Sequence, residues 1–293
     1  MRGLAAVPRL LTPIALLAAA LAIVVPSGEL ARHSDLLLAV LVLATALGIS
    51  HRDLARLRHY AGAVALLWVA PVLAFGALAW IVGRPFSATI QHGLLGVGLS
   101  SSEVAAVGLV ALAGADATIA LGAVAGSLVV AALVGPLAIG WLGAGGHAGS
   151  AELVGRFSLV VILPLACGVA VRSSLPRLAA LDRERDGIAA LAVALLVYAA
   201  LSGTHGAHDL AAAALASLAF LAVCAVLGEL WRRHAAPDAA VPGALAIGMR
   251  DFAVAAALAT QAFGISAGTV PGVYGVLMLV AGTVAAGRLR AAN

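Results

Sequence analysis

The sequence predicts an all-α integral membrane protein of about ten transmembrane helices. Three observations carry this. Of 293 residues, 63% are hydrophobic and only 10% charged, against about 25% charged in soluble domains; mean hydropathy is +1.11. So little polar surface cannot wrap a globule of this size in water, and lipid must be the solvent for most of the chain. The apolar stretches are cut at roughly the length of a bilayer crossing. The charges collect in the short connections that make the cuts.

The first span, 8–25, is expected to be retained, although Arg2 and Arg9 ahead of it also resemble the start of a secretory signal peptide. A polar connection, 28–34, leads to the second span, 35–50. The basic connection 51–59 precedes the third, 61–82, and Arg84-Pro85 breaks the chain before the fourth, 86–113. The fifth, 117–142, opens at Asp116, for which helix capping is a sufficient role. A glycine-rich connection, 143–155, leads to the sixth span, 157–171. The charged segment 172–186 separates it from the seventh, 187–202. The eighth (210–231), ninth (241–263) and tenth (267–286) follow, divided by 203–209 and 232–237.

All 17 basic residues are arginine. With both termini on one side, thirteen arginines share that side, Arg32, Arg84 and Arg156 lie opposite, and Arg250 sits inside a span. The positive-inside rule makes the rich side cytoplasmic, with both termini there, in the cell inner (plasma) membrane. Aromatic content of 4% and scattered arginines exclude a nucleic-acid surface. Cys167 and Cys224 fall within apolar runs, as small buried hydrophobes do, and suggest no disulfide.

An internal repeat is also visible. Ser102-Glu103-Val104-Ala105-Ala106 in the fourth span parallels Arg250-Asp251-Phe252-Ala253-Val254 in the ninth. In each, a carboxylate opens an alanine-rich stretch after residues that weaken a helix: Gly98 and Ser100 to Ser102 in one, Gly243 and Gly248 in the other. The fourth and ninth spans are equivalent in two five-helix halves, 1–146 and 147–293. Five is odd, so the second half enters the membrane inverted. Inverted repeats whose discontinuous helices meet near the midplane are a transporter architecture.

Glu103, Arg250 and Asp251 lie far from any connection. Each costs at least about 2.5–3.5 kcal/mol at a helix centre, so each needs a partner or a watery cavity. Where a span unwinds, free N–H groups and the positive end of the next half-helix face the gap. A carboxylate there can cap the half-helix or line an ion or substrate path. Ser100, Ser101 and Ser102 can offer hydroxyls at the first break or bond back to the backbone. Thr260 and Gln261 follow Asp251 by two to three turns and face either the same cavity or a neighbouring helix. Gln91 and His92 suit the outer interface, and Glu229 a solvated pairing with Arg232 and Arg233; Tyr198 and Tyr274 suit lining or packing equally. No metalloprotease, Walker, nucleophile-elbow or kinase motif occurs. The expectation is a non-enzyme without cofactor, any transport being driven by an ion gradient or passive.

Ala246-Ile247-Gly248-Met249-Arg250-Asp251 runs on through Phe252 and an alanine-rich stretch to Phe263, then Pro271, Tyr274 and Gly275. This resembles the bile acid:sodium symporter family, as a divergent bacterial-type member; the family pattern is an acid, an apolar residue, Gly-Met-Gln-Asn and an alanine-rich helix. The resemblance implies ten helices in two inverted repeats, crossed broken helices four and nine, and secondary active symport. The departures fall where the family binds sodium. Ala246 stands at the acidic position, Arg250 at the Gln and Asp251 at the Asn. The fourth-span Thr-x-Ser-Asn falls on Val104, Ala106 and Val107. A guanidinium has donors only, which argues against a cation beside Arg250.

The expectation is a secondary transporter of a small organic anion in the lipid bilayer, coupled to Na+ or H+. Its site is drawn from Glu103, Arg250, Asp251, Ser100, Ser101, Ser102, Thr260 and Gln261. Proton coupling would run through Glu103 or Asp251. Arg250 would share their cavity, offsetting a carboxylate or holding the substrate. A Na+/H+ antiporter-like exchanger and a non-transporting scaffold or partner protein that kept the fold are the competing readings.

Overall fold

The computed structural model describes residues 7–141, 149–203 and 207–292. Arg2, the first part of the expected connection 143–155 and the middle of 203–209 lie outside the described residues. In chain order the helices are α1 (Val7–Val24), α2 (Gly28–Arg32), α3 (Ser34–Ala46), α4 (His51–Arg56) and α5 (Ala61–Gly83). Then come α6 (Ala88–Leu99), α7 (Ala105–Leu112), α8 (Thr118–Trp141), α9 (Ser150–Phe157) and α10 (Leu163–Ser174). The last are α11 (Asp182–Leu201), α12 (Ala207–His234), α13 (Pro237–Gly248), α14 (Phe252–Phe263) and α15 (Thr269–Ala292).

Among the described residues, five continuous helical stretches are long and apolar enough to cross a membrane: His51–Gly83, Thr118–Trp141, Ser150–Ser174, His208–His234 and Ile265–Ala291. Shorter apolar helices cover Leu11–Val24, Ser34–Ala46 and Phe252–Phe263. Large aliphatics such as Leu17, Leu73, Ile81 and Val226 are exposed. Outward-facing leucine and valine along whole helices suit lipid, not water, and the chain is a multi-pass membrane protein.

Several helices begin earlier than hydropathy alone suggests. Segment 51–59, expected as a connection, is α4 and a 3-10 turn leading into α5. Ser50 starts it with a capping box: its hydroxyl accepts the Asp53 N–H, and Asp53 accepts the Ser50 N–H at 3.0 Å. The sixth expected span starts at Ser150 in α9, which continues through a π-helical turn, Ser158–Ile162, into α10. The seventh starts at Asp182, with Asp182 and Glu184 in its first turn, where acids complement the helix dipole. Hydropathy marks the apolar part, whereas backbone hydrogen bonding carries a helix on into polar sequence. Asp116 caps α8 as expected, accepting the Thr118 N–H at 2.9 Å and hydroxyl at 2.7 Å. Those two bonds hold its carboxyl below the usual range.

Two packing groups result. α1, α3, α10 and α11 pack on one another, while α5, α6, α8 and α12 to α15 form the other group. Contacts of α1 and α11 with α15, and of α3 with α14, join them. Small residues let the second group close tightly. A Cβ on Gly98 would lie 2.3 Å from the Phe75 carbonyl oxygen, and one on Gly96 would lie 2.9 Å from that of Ala255. Only glycine lets α6 come this near α5 and α14. Of the two thiols Cys224 is buried as expected, but Cys167 is exposed on α10.

Candidate crossover site

Both interruptions that the sequence predicts are present. α6 ends at Leu99, where Ser100 turns extended (φ −73°, ψ 170°) and its hydroxyl donates to the Val97 carbonyl at 2.8 Å. α13 ends at Gly248; Met249 is extended and Asp251 starts α14. The two unwound segments cross as an antiparallel bridge pairing Ser102 with Arg250. The Glu103 N–H donates to the Met249 carbonyl at 3.0 Å, and the Asp251 N–H to the Ser101 carbonyl at 2.8 Å. A third bond, 3.0 Å, runs from the Ser102 N–H to the Ser127 hydroxyl of α8. Each break thus satisfies backbone groups of the other, as non-helical backbone in a membrane requires.

An extended chain sends successive side chains to opposite faces. Asp251 and Arg250 therefore diverge. Asp251 caps α14, its Oδ1 accepting the N–H groups of Ala253 (2.9 Å) and Val254 (3.0 Å). Its Oδ2 lies 3.4 Å from the Ser101 hydroxyl, which donates to it. Glu103 Oε1 accepts the Ala105 N–H at 3.3 Å, and the amides of Phe252 and Val104 also face its carboxylate. Glu103 Oε2 is buried without a hydrogen-bond partner. The two carboxylates are near enough to repel, and each residue is only 2% exposed.

From Glu103 a cavity of about 280 Å³ opens between the two packing groups, reaching Thr45 of α3 and Asp182, Arg185 and Asp186 of α11. The charges on α11 are paired. Arg172 holds Asp182 at 3.0 and 3.1 Å, and Arg185 lies 2.6 Å from Asp186 and 3.3 Å from Asp182. Gly48 leaves room for this cluster, since a Cβ there would lie 2.2 Å from Arg185 Nη1. Of the ionic groups on this cavity, Glu103 alone has no charged partner.

Arg250 departs from expectation. It does not share the Glu103 cavity and makes no ion pair with either carboxylate. Fully buried, it lies with its guanidinium carbon 5.0 Å from the centroid of the Phe75 ring, a cation–π geometry. Cys224 and Tyr274 stand beside it, and the Tyr274 hydroxyl accepts the Arg250 backbone N–H at 3.3 Å. None of its three side-chain nitrogens has a hydrogen-bond partner. The strand alternation that sends Asp251 toward Glu103 sends Arg250 away.

The serines divide. Ser100 bonds backbone, Ser101 serves Asp251, and Ser102 Oγ is buried without a partner. Thr260 donates to the carbonyls of Ala256 (2.8 Å) and Ala257 (3.1 Å). Gln261 donates to Asp35 of α3, which Arg156 also holds at 2.9 Å. Both lie near the far end of α14 from the crossover and outside the Glu103 cavity. His92 stacks on Phe263 at 4.2 Å, away from the crossover.

Ser127, Asp182, Arg185 and Asp186 escaped the sequence reading. Ser127 is a lone hydroxyl in an apolar helix and carries no signal. The charge run 182–186 was visible, but as part of a connection rather than the first turns of α11. No group of three or more His, Cys, Asp or Glu able to hold a metal occurs among the described residues. The family model described as Sodium Bile acid symporter family matches residues 36–210, from α3 to the start of α12. No curated protein matches the chain.

Proposed function

Because the chain belongs to the sodium bile acid symporter family, we propose that it is a secondary active transporter carrying a small organic anion together with Na+ or H+. It does so in the cell inner (plasma) membrane, with both termini cytoplasmic. The proposal includes ten spans in two inverted five-helix repeats, 1–146 and 147–293, the interrupted helices being the fourth and ninth. One observation carries the reading: two broken helices cross with their backbones bridged, beside a buried carboxylate at the head of a cavity. Discontinuous helices of this kind build the binding sites of secondary transporters.

In this reading Glu103 and Asp251 line the ion path, Ser101 orients Asp251, and Ser102 offers a free hydroxyl. Ser100 shapes the break. Arg250 supplies a positive charge on the other face of the crossover, where an anionic group would find unused donors. Thr260 and Gln261 border the outer approach along α14. Access alternates as the α1, α3, α10 and α11 group rocks against the crossover. The Arg172, Asp182, Arg185 and Asp186 cluster stands at the cytoplasmic mouth and must open to let solute in.

Uptake into liposomes reconstituted with the purified protein, over a panel of radiolabelled organic acids, tests the reading. Expected is uptake of at least one acid that depends on an imposed Na+ or H+ gradient and is abolished in Glu103→Gln. Exchange of Na+ for H+ without any organic solute would instead favour the antiporter reading. Binding without flux under either gradient would leave the scaffold reading.

A further inference from the structure

Resting on that transport reading, we infer that the ion bound at the crossover is a proton and not sodium, and that Glu103, rather than Asp251, carries it. A hard cation needs a shell of several oxygen ligands. Around the Glu103 carboxylate the nearest backbone groups are donors instead: the amides of Val104, Ala105 and Phe252. They belong to the first turns of α7 and α14, whose positive ends converge on this point. The oxygens close by are already acceptors. Met249 and Ser101 carbonyls take the two bridge N–H groups, the Ser127 hydroxyl takes the Ser102 N–H, and Asp251 Oδ1 takes two amides. Among the buried side-chain oxygens of the crossover, those without a partner are Ser102 Oγ and Glu103 Oε2. Two oxygens between two positive helix ends do not make a sodium site.

A proton needs one oxygen and no shell. Glu103 Oε2 is that oxygen: buried and unpartnered, on a residue that lines the cavity. An O–H bond formed there removes the repulsion with Asp251. Its breaking, to water on the opposite side, completes the exchange without any redox change. Asp251 is committed on both oxygens, Oδ1 to the two amides of the α14 cap and Oδ2 to the Ser101 hydroxyl. The charged groups that face Glu103 are Asp251 from the crossover and Asp182, Arg185 and Asp186 across the cavity from α11. Arg250 is on the opposite face. The cavity itself is the route, and the α11 cluster lies at its cytoplasmic end.

The test is infrared difference spectroscopy on the full-length protein in liposomes, stepped through pH in sodium-free buffer. Expected is a carboxylic-acid carbonyl band that appears on acidification, is lost in Glu103→Gln, and persists in Asp251→Asn. Glu103→Asp should shift its midpoint rather than remove it, which covers the case where the glutamine variant misfolds. Replacing choline chloride by sodium chloride at equal ionic strength should leave the band unchanged. A band that sodium suppresses, one that survives Glu103→Gln, or none in the wild type would overturn the inference. These spectra report on Glu103 without any transported solute. The expected spectra combined with absence of flux would therefore sink the transport reading and leave the proton site standing.

Discussion

Glu103 and Asp251 are both buried carboxylates at the start of a half-helix, yet their second oxygens meet different surroundings. Asp251 uses both oxygens within the protein, while Glu103, which lines a cavity, leaves one without a partner. Capping and ion traffic are thus separable by substitution. Asp251→Ala removes acceptors from two buried amides and should destabilise the protein by about 1–2 kcal/mol. Asp251→Asn, which keeps a carbonyl oxygen, should lose clearly less. Thermal unfolding in detergent measures both, and equal losses would mean that the cap contributes little. Arg250 gives a sharper case. Its nitrogens have no hydrogen-bond partners, so its fixed contributions are shape, the Phe75 contact and a longer-range attraction to Asp251. Arg250→Met fills a similar volume without a buried charge, and such replacements are often neutral or stabilising. The melting temperature should therefore hold or rise while anion uptake falls. A drop of many degrees would show that the guanidinium has a partner essential to folding.

At the scale of elements, the crossover depends on how closely α6 can approach its neighbours. Gly98→Ala drives a methyl group into the Phe75 carbonyl, and a rigid backbone cannot step aside. Overpacking of this sort costs about 1–3 kcal/mol, measurable as a lower melting temperature together with lost uptake. Gly48 is a different situation, because its neighbour is the mobile end of Arg185. Gly48→Ala should leave the melting temperature almost unchanged but displace the guanidinium from Asp186 and loosen the cavity mouth. A thiol introduced by Thr45→Cys would then react faster with a water-soluble reagent than it does beside Gly48. Unchanged labelling would mean that the α11 cluster does not gate the cavity. The late starts expected for α9 and α11 share one cause. α9 carries Glu152 in its first turn and Arg156 in its last, and α11 opens with Asp182 and Glu184; hydropathy scores these as connection and the helix accepts them.

For the whole molecule, the arginine distribution makes a prediction of its own. Fusion reporters placed after Arg58, after Arg185 and at the C-terminus should read cytoplasmic, and those in 143–155 and 203–209 external. A cytoplasmic signal from either external connection would overturn the proposed ten-span order. In that proposed order the same distribution also sets the direction of the cavity, because it puts Arg172 and Arg185 on the arginine-rich side. The sequence by itself determined that the chain lives in lipid, and that Glu103 and Asp251 stand at helix interruptions. Hydropathy and helix breaking are properties of contiguous residues, so Gly98 with three serines, or Gly248 before Asp251, suffices to reveal them. Only the tertiary structure decided that Arg250 turns from the carboxylates toward Phe75 and Tyr274, and that Glu103 shares its cavity with α11. Which side chains converge is set by the register in which two distant extended segments pair. One backbone bridge, Ser102 with Arg250, fixes that register, and no local pattern encodes it.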